Sequence, residues 1–162
     1  MRDEERQAAF SSSLFRRYGP VAAWVGFIFL ASSASFSASN TSRVIRPVLV
    51  WLFPEISEAA LQQAHFLIRK ASHFTEYAVL ALLSSRAFLS SPGPKLRARW
   101  WPAAFALVAA VALLDEYHQS LLASRTGAVY DSLLDMAGGG AALAAVALWR
   151  ARRRRSYRPL AG

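Results

Sequence analysis

Hydrophobic residues are gathered along this chain in runs that lack charge. No Asp, Glu, Lys or Arg occurs from Tyr18 to Ser42, from Trp100 to Leu114, or from Met136 to Trp149. A bilayer-crossing helix needs about 20 mainly apolar residues. The first run is long enough alone. The other two reach that length when polar residues at one end are included. The pattern predicts four spanning helices, over residues 20–37, 73–89, 100–119 and 128–149. The second is the least apolar, with His73, Glu76 and Arg86, and rests on "YAVLALL" between charged ends.

The connections fit that reading. In residues 38–69, "VIRPVLVWLFPE" carries Trp51, Phe53 and two prolines, which suits a segment lying on the membrane interface. Ser57 is placed to cap a helix that starts at Glu58 and continues toward the second span. "SSPGPKLRAR" is a breaker between the second and third spans, and Pro102 falls in a first helical turn, where its missing N–H costs little. The expected fold is therefore an all-α membrane protein. It has four transmembrane helices, a short interfacial helix in the first outer loop, and both termini in the cytoplasm. The expected organisation is a basic N-terminal tail (1–19), a four-helix transmembrane domain (20–149) and an arginine-rich cytoplasmic tail (150–162).

Composition and charge sharpen this. With 54% hydrophobic residues in a 162-residue chain, the protein is too apolar for an ordinary soluble domain. Most of the 19 Lys and Arg residues precede the first span, surround the turn between the second and third, or follow the fourth. The positive-inside rule makes that side cytoplasmic. The net charge of +9 and the tail "RARRRRSYR" then read as a topology signal in contact with anionic membrane lipids, and no nucleic-acid partner is expected. The absence of cysteine excludes a disulfide frame and a thiolate metal site. "ASSASFSAS" after an apolar core also fits a signal-peptide cleavage site. Asp3, Glu4, Glu5 and the long segment ahead of the core favour an uncleaved helix.

The polar residues inside the spans carry the candidate chemistry. "LLDEYHQSLL" closes the apolar run of the third span with two adjacent acids and a glutamine. Counted from the cytoplasmic charges Arg86, Arg99 and Arg150 at about 1.5 Å per residue, His73, Asp115 and Asp135 all lie roughly 20–24 Å up, near the outer end of their helices. Helical spacing puts Lys70, His73 and Tyr77 on one face with Glu76 at its edge, Asp115 with Gln119 on another, and Asp131 with Asp135 on a third, continued by Gly138. Charges in a membrane are costly and normally face a bundle interior or a water-filled cavity, so a shared outward-facing polar pocket satisfies all three helices. Lys70 and Arg125 could instead simply pair with the acids and fix helix packing. Glu76, Asp115, Glu116, Asp131 and Asp135 outnumber those two bases, which leaves negative charge to be protonated, hydrated or bound to a cation. Gly138–Gly140 reads as a close-packing surface. His65 and His118 read as interfacial.

At these residues the chain resembles the VanZ-like family of small bacterial membrane proteins. The resemblance lies in "RKASHFTEYAVLALL" through Lys70, His73, Phe74, Glu76 and Tyr77. It continues in "DEYHQ" with Asp115, Glu116 and Gln119, in Arg125, and in "DSLLDMAGG" with Asp131, Asp135 and Gly138. The serine pair Ser32–Ser33 also fits. Asp135 departs from the pattern, which usually has asparagine there. The two terminal tails lie outside the resemblance. It implies a multi-pass protein of the bacterial cytoplasmic membrane; the founding member is associated with resistance to the glycopeptide teicoplanin.

Two functions stay open. One is binding or handling of an anionic envelope molecule, either a lipid-linked cell-wall precursor or a lipoglycopeptide. Lys70 and Arg125 would be the grips, with His73, Glu76, Tyr77, Asp115, Gln119, Asp131 and Asp135 around them. The other is a membrane-embedded hydrolase or transferase acting on an envelope lipid. His73 with Asp115 or Glu116 would do acid–base work, and Asp115, Asp131 and Asp135 would hold a divalent cation such as Mg²⁺ or Ca²⁺. A proton or ion relay is disfavoured, because the ionisable groups gather at one depth and the inner halves of the last two spans hold none.

Overall fold

The computed structural model describes residues 2–33, 38–122 and 129–156. It is built from helices α1 (Arg2–Ala31), α2 (Ala38–Leu52), α3 (Glu58–Leu89), α4 (Pro94–Ala98), α5 (Trp100–Ser120) and α6 (Val129–Ser156), with no strand among the described residues.

Helix α3 starts where the capping pattern predicts. Ser57 is extended (φ −69°, ψ 153°), and its hydroxyl oxygen accepts from the Ala60 N–H at 3.2 Å. No glycine or proline interrupts the next 32 residues, so the helix expected in the first loop and the expected second span are one continuous element. At about 1.5 Å per residue it is roughly 48 Å long, longer than the hydrocarbon core of about 30 Å. Pro92, Gly93 and Pro94 then force the break into α4.

Other boundaries also differ from the sequence reading, and α1 ends at Ala31 rather than at residue 37. Helix α1 begins at Arg2 rather than near residue 20 and holds Pro20 in its interior. The residues before Gly19 include good helix formers and neither glycine nor proline, and one proline deletes only one intrahelical bond. The segment 1–19 is thus largely the start of the first helix. Helix α6 likewise continues beyond Trp149 to Ser156. Arginine is a good helix former, and cations are favoured at a helix C-terminus. The Arg153 guanidinium also lies over the Trp149 ring at 4.3 Å, and Arg150 lies 6.0 Å from the Trp100 centroid.

Helix α2 occupies the segment expected at the interface. Val44, Val48, Trp51 and Leu52 are exposed on it, and Arg46 joins it to the start of α3 by a two-pronged pair with Glu58 (3.1 and 2.5 Å).

Helices α3, α5 and α6 form the centre, with α1 against α3 and α5, and α2 against α3. The buried positions are mostly small or polar: Ala81, Ser84, Ser85, Ala104, Ala112, Ser132, around Tyr77, Leu80, Val108 and Leu143. Large apolar side chains point outward instead, including Phe27, Leu30, Leu82, Leu113, Leu133 and Leu148. Small residues inside and large apolar ones outside are the arrangement lipid permits. Among the described residues, α5 and Tyr130–Ser156 of α6 are long and apolar enough to cross a membrane.

The helices meet closely at glycine. A Cβ on Gly138 would sit 2.3 Å from the Phe74 carbonyl oxygen, and one on Gly139 would sit 2.6 Å from a methyl of Val108. Gly138 therefore sets the approach of α6 to α3, one residue from His73, and Gly139 sets its approach to α5.

Candidate functional site

Three helices bring His73 (α3), Asp115 (α5) and Asp135 (α6) together, with one donor atom from each within 4.8 Å of the others. His73 Nδ1 lies 3.3 Å from Asp135 Oδ1. Asp115 is 1% exposed and Asp135 2%, so both carboxylates are withdrawn from solvent. The end of α1 closes the group. Ser32 Oγ donates to Asp115 Oδ2 at 2.8 Å, and Gln119 Nε2 donates to the same oxygen at 2.9 Å and to Ser32 Oγ at 3.2 Å. The i, i+4 spacing of Asp115 and Gln119 is what lets the amide reach the carboxylate. Tyr77, one turn beyond His73, is fully buried. Its hydroxyl, Asp115 Oδ1 and Asp135 Oδ1 are buried without a hydrogen-bond partner among the described residues.

One turn toward the N-termini of α3 and α6, Lys70 pairs with Asp131 and also lies 5.4 Å from the Phe66 ring centroid. The cation and the acid of that pair are therefore taken up by each other. Asp131 and Asp135, expected on one face, have separate partners, and Asp131 is not a member of the three-donor cluster. Glu116 also lies outside the cluster, while Glu76 borders the cavity described next. Arg125 lies outside the described residues.

Beside the cluster is a cavity of about 240 Å³ between α1, α2 and α3. Phe27, Leu30, Ile45 and Ile68 give it apolar walls, and Ser32, Thr41, Arg69, His73 and Glu76 supply polar edges. Arg69 Nη1 is buried there with no hydrogen-bond partner among the described residues. A second groove of about 460 Å³ runs along α1 and α3, lined by Trp24, Phe27, Ile68, Ala71, Thr75 and Val79. The Trp24 indole N–H is engaged, donating to the Glu76 carbonyl at 2.9 Å.

Two participants went unassigned in the sequence. Ser32 was visible only as half of a serine pair, and its partner Asp115 is 83 residues away. Arg69 has no role in the sequence reading, next to the more conspicuous Lys70. The two remaining histidines, expected at the interface, each have a neighbour. A ring nitrogen of His65 is 3.3 Å from the Thr41 hydroxyl, and His118 packs edge-on against Phe29.

No curated protein and no solved structure matches this chain significantly. The family model described as VanZ/LLP1 matches residues 19–150, a stretch that holds His73, Asp115 and Asp135 and the residues that line the cavity. By that match over most of its length, the chain belongs to the VanZ/LLP1 family.

Proposed function

We propose that this VanZ-like protein crosses the bacterial cytoplasmic membrane four times, through α1, α3, α5 and α6, with both termini inside. In this reading it holds an anionic envelope molecule at its outer side. Support for the topology comes from charge: Arg97, Arg150 and Arg154 converge with Trp100 around one pocket at the end of the bundle opposite His73. Reporter fusions at Pro94 and at Thr126 are expected to read cytoplasmic and external respectively; the reverse would invert the whole placement.

The observation that carries the ligand is Arg69. Its buried Nη1 has no hydrogen-bond partner among the described residues and borders an apolar cavity, an arrangement that a phosphate or carboxylate completes by accepting from the guanidinium. This moves the grip from Lys70, whose amine is already paired with Asp131, to its neighbour. The adjoining groove shares Phe27, Ile68, Ser72 and Glu76 with the cavity. From Ile68 to Val79 it follows α3 for roughly 16 Å, room for much of an acyl chain. The substrate class is thus an acylated anion, either a lipid-linked precursor or a lipoglycopeptide, and contribution to glycopeptide resistance follows if teicoplanin is among them.

Quantitative lipid mass spectrometry of the detergent-purified protein tests this, with phosphatidylglycerol and teicoplanin as added probes. Arg69→Ala is expected to lower retention of the anionic probe at least about tenfold, the size of one charge-assisted pair. Arg69→Lys should lie between, and Lys70→Ala near wild type. Equal retention in Arg69→Ala and wild type would remove the basis of the assignment.

A hydrolase or transferase is the second reading. It is favoured by His73 bordering the cavity with Asp135 behind it, the geometry of a base held by an orienting carboxylate.

A further inference from the structure

We infer that His73, Asp115 and Asp135 are the protein ligands of one buried divalent transition-metal ion, of the zinc or manganese class. The inference stands on the cluster itself and not on the lipid reading.

The first ground is geometry. The three donor atoms come from three helices and fall within 4.8 Å of one another. An ion with bonds of about 2.0–2.2 Å in tetrahedral arrangement holds its donors roughly 3.3–3.6 Å apart. His73 Nδ1 and Asp135 Oδ1 already have that separation, at 3.3 Å. Bringing Asp115 into range needs only a side-chain adjustment on the order of 1 Å.

The second ground is the unsatisfied oxygens. Asp115 spends Oδ2 on Ser32 and Gln119, while its Oδ1 is buried with no hydrogen-bond partner among the described residues; Asp135 Oδ1, equally buried, faces the His73 ring nitrogen at 3.3 Å. Both residues are more than nine-tenths buried. A buried carboxylate oxygen left without a donor is costly, and a metal ion supplies what hydrogen bonding here does not. The Ser32 and Gln119 bonds then act as the outer layer that orients a ligating carboxylate.

The third ground is charge. Lys70 is occupied by Asp131, so its charge is not available to neutralise the cluster. Two ionised carboxylates with a neutral imidazole carry two negative charges, and one divalent cation brings the site to zero within a low-dielectric bundle.

The donor set selects the ion. Mg²⁺ and Ca²⁺ take oxygen ligands almost exclusively, in sixfold or higher coordination. One imidazole with two carboxylates suits zinc or manganese. This revises the sequence expectation in two respects: His73 replaces Asp131 as a ligand, and a transition metal replaces Mg²⁺ or Ca²⁺. Three protein ligands leave a coordination position for water or an incoming anion, and His73 and Ser32 both border the cavity from which it would arrive.

The test is elemental analysis of the purified full chain, followed by EDTA dialysis and titration with Zn²⁺, Mn²⁺ and Co²⁺, the last read by its visible absorption. The expected result is close to one equivalent of Zn²⁺ or Mn²⁺ per chain and a saturable Co²⁺ spectrum. Asp115→Asn and Asp135→Asn should each weaken binding at least tenfold, Ser32→Ala by about 10–100-fold, and Asp131→Asn little. Helicity and monodispersity identify any variant that has not folded, and the wild-type titration decides the matter without them. Absence of saturable binding by wild type overturns the inference. So does binding that Asp115→Asn and Asp135→Asn leave unchanged, which would place the ion elsewhere.

Discussion

Gly138→Ala is expected to lower stability by about 3 kcal/mol, the upper range for forcing volume into a packed interface. The reason is that its new Cβ has nowhere to go. It would lie 2.3 Å from the Phe74 carbonyl oxygen and 3.0 Å from the carbonyl carbon and Cα. These are backbone atoms inside a long helix, so no side-chain rotation relieves the clash; α6 must move off α3. Gly139→Ala meets a Val108 methyl at 2.6 Å, a side chain with restricted rotamers, and should cost less. Gly140→Ala meets only Phe105 at 3.7 Å, an ordinary contact, and should be near neutral. The graded series, read by thermal unfolding in one detergent, separates close packing from any general effect of helix propensity, which favours alanine at all three positions. If Gly138→Ala unfolds at the same temperature as Gly140→Ala, glycine is not what sets the α3–α6 approach. The displacement should also reach the site. Gly138 lies three residues beyond Asp135, and Phe74 follows His73, so the shift that admits a methyl group also pulls apart the 3.3 Å pair.

Helical spacing and depth carried much of this arrangement in the sequence, because both follow from a single number, the rise and turn of an α-helix. The i, i+4 relation of Asp115 and Gln119 appears as a hydrogen bond, and His73, Asp115 and Asp135, read as level, converge. Spacing within a helix gives no information about partners on another helix. Asp131 and Asp135 share a face, yet one meets Lys70 and the other His73 a turn away. Which acid takes which base depends on how far α6 has slid along α3, and the seat at Gly138 sets that. Ser32 was obscure for a related reason: a lone hydroxyl at a helix end has no periodicity, and its role exists only once α1 packs beside α5. Arg69 was obscured by chemistry. Beside a lysine in a loop-proximal turn it has no role in the sequence reading, and only the burial of Nη1 in an apolar cavity sets it apart. The helix ends were misplaced where apolarity was taken for helicity. Bilayer length bounds a span, but Arg2–Tyr18 and Arg150–Ser156 remain helical in sequences that no bilayer core would accept.

Asp115→Ala should be far more damaging than Asp131→Ala, although both remove one carboxylate from the same end of the bundle. Asp131 pairs with Lys70 where both side chains are about 30% exposed (31% and 29%), and each can be rehydrated when the other is lost. A pair of that kind contributes about 1 kcal/mol or less. Asp115 is 1% exposed and accepts from Ser32 of α1 and Gln119 of its own helix. Its removal takes the acceptor from the buried Ser32 hydroxyl and one of the acceptors from Gln119, opens a gap where the side chain was, and unbalances His73 and Asp135 beside it. Breaking a buried charged group from its partners costs about 3–5 kcal/mol, whether the balancing positive charge is a metal ion or a proton. Denaturant unfolding of the two variants in matched micelles checks the contrast. Equal losses would mean that Asp115 is solvated and that the cluster does not tie α1 to the three-helix centre. A loss confined to Asp115→Ala, matched in part by Ser32→Ala, would show that the polar cluster is also the fastening by which the first helix is held.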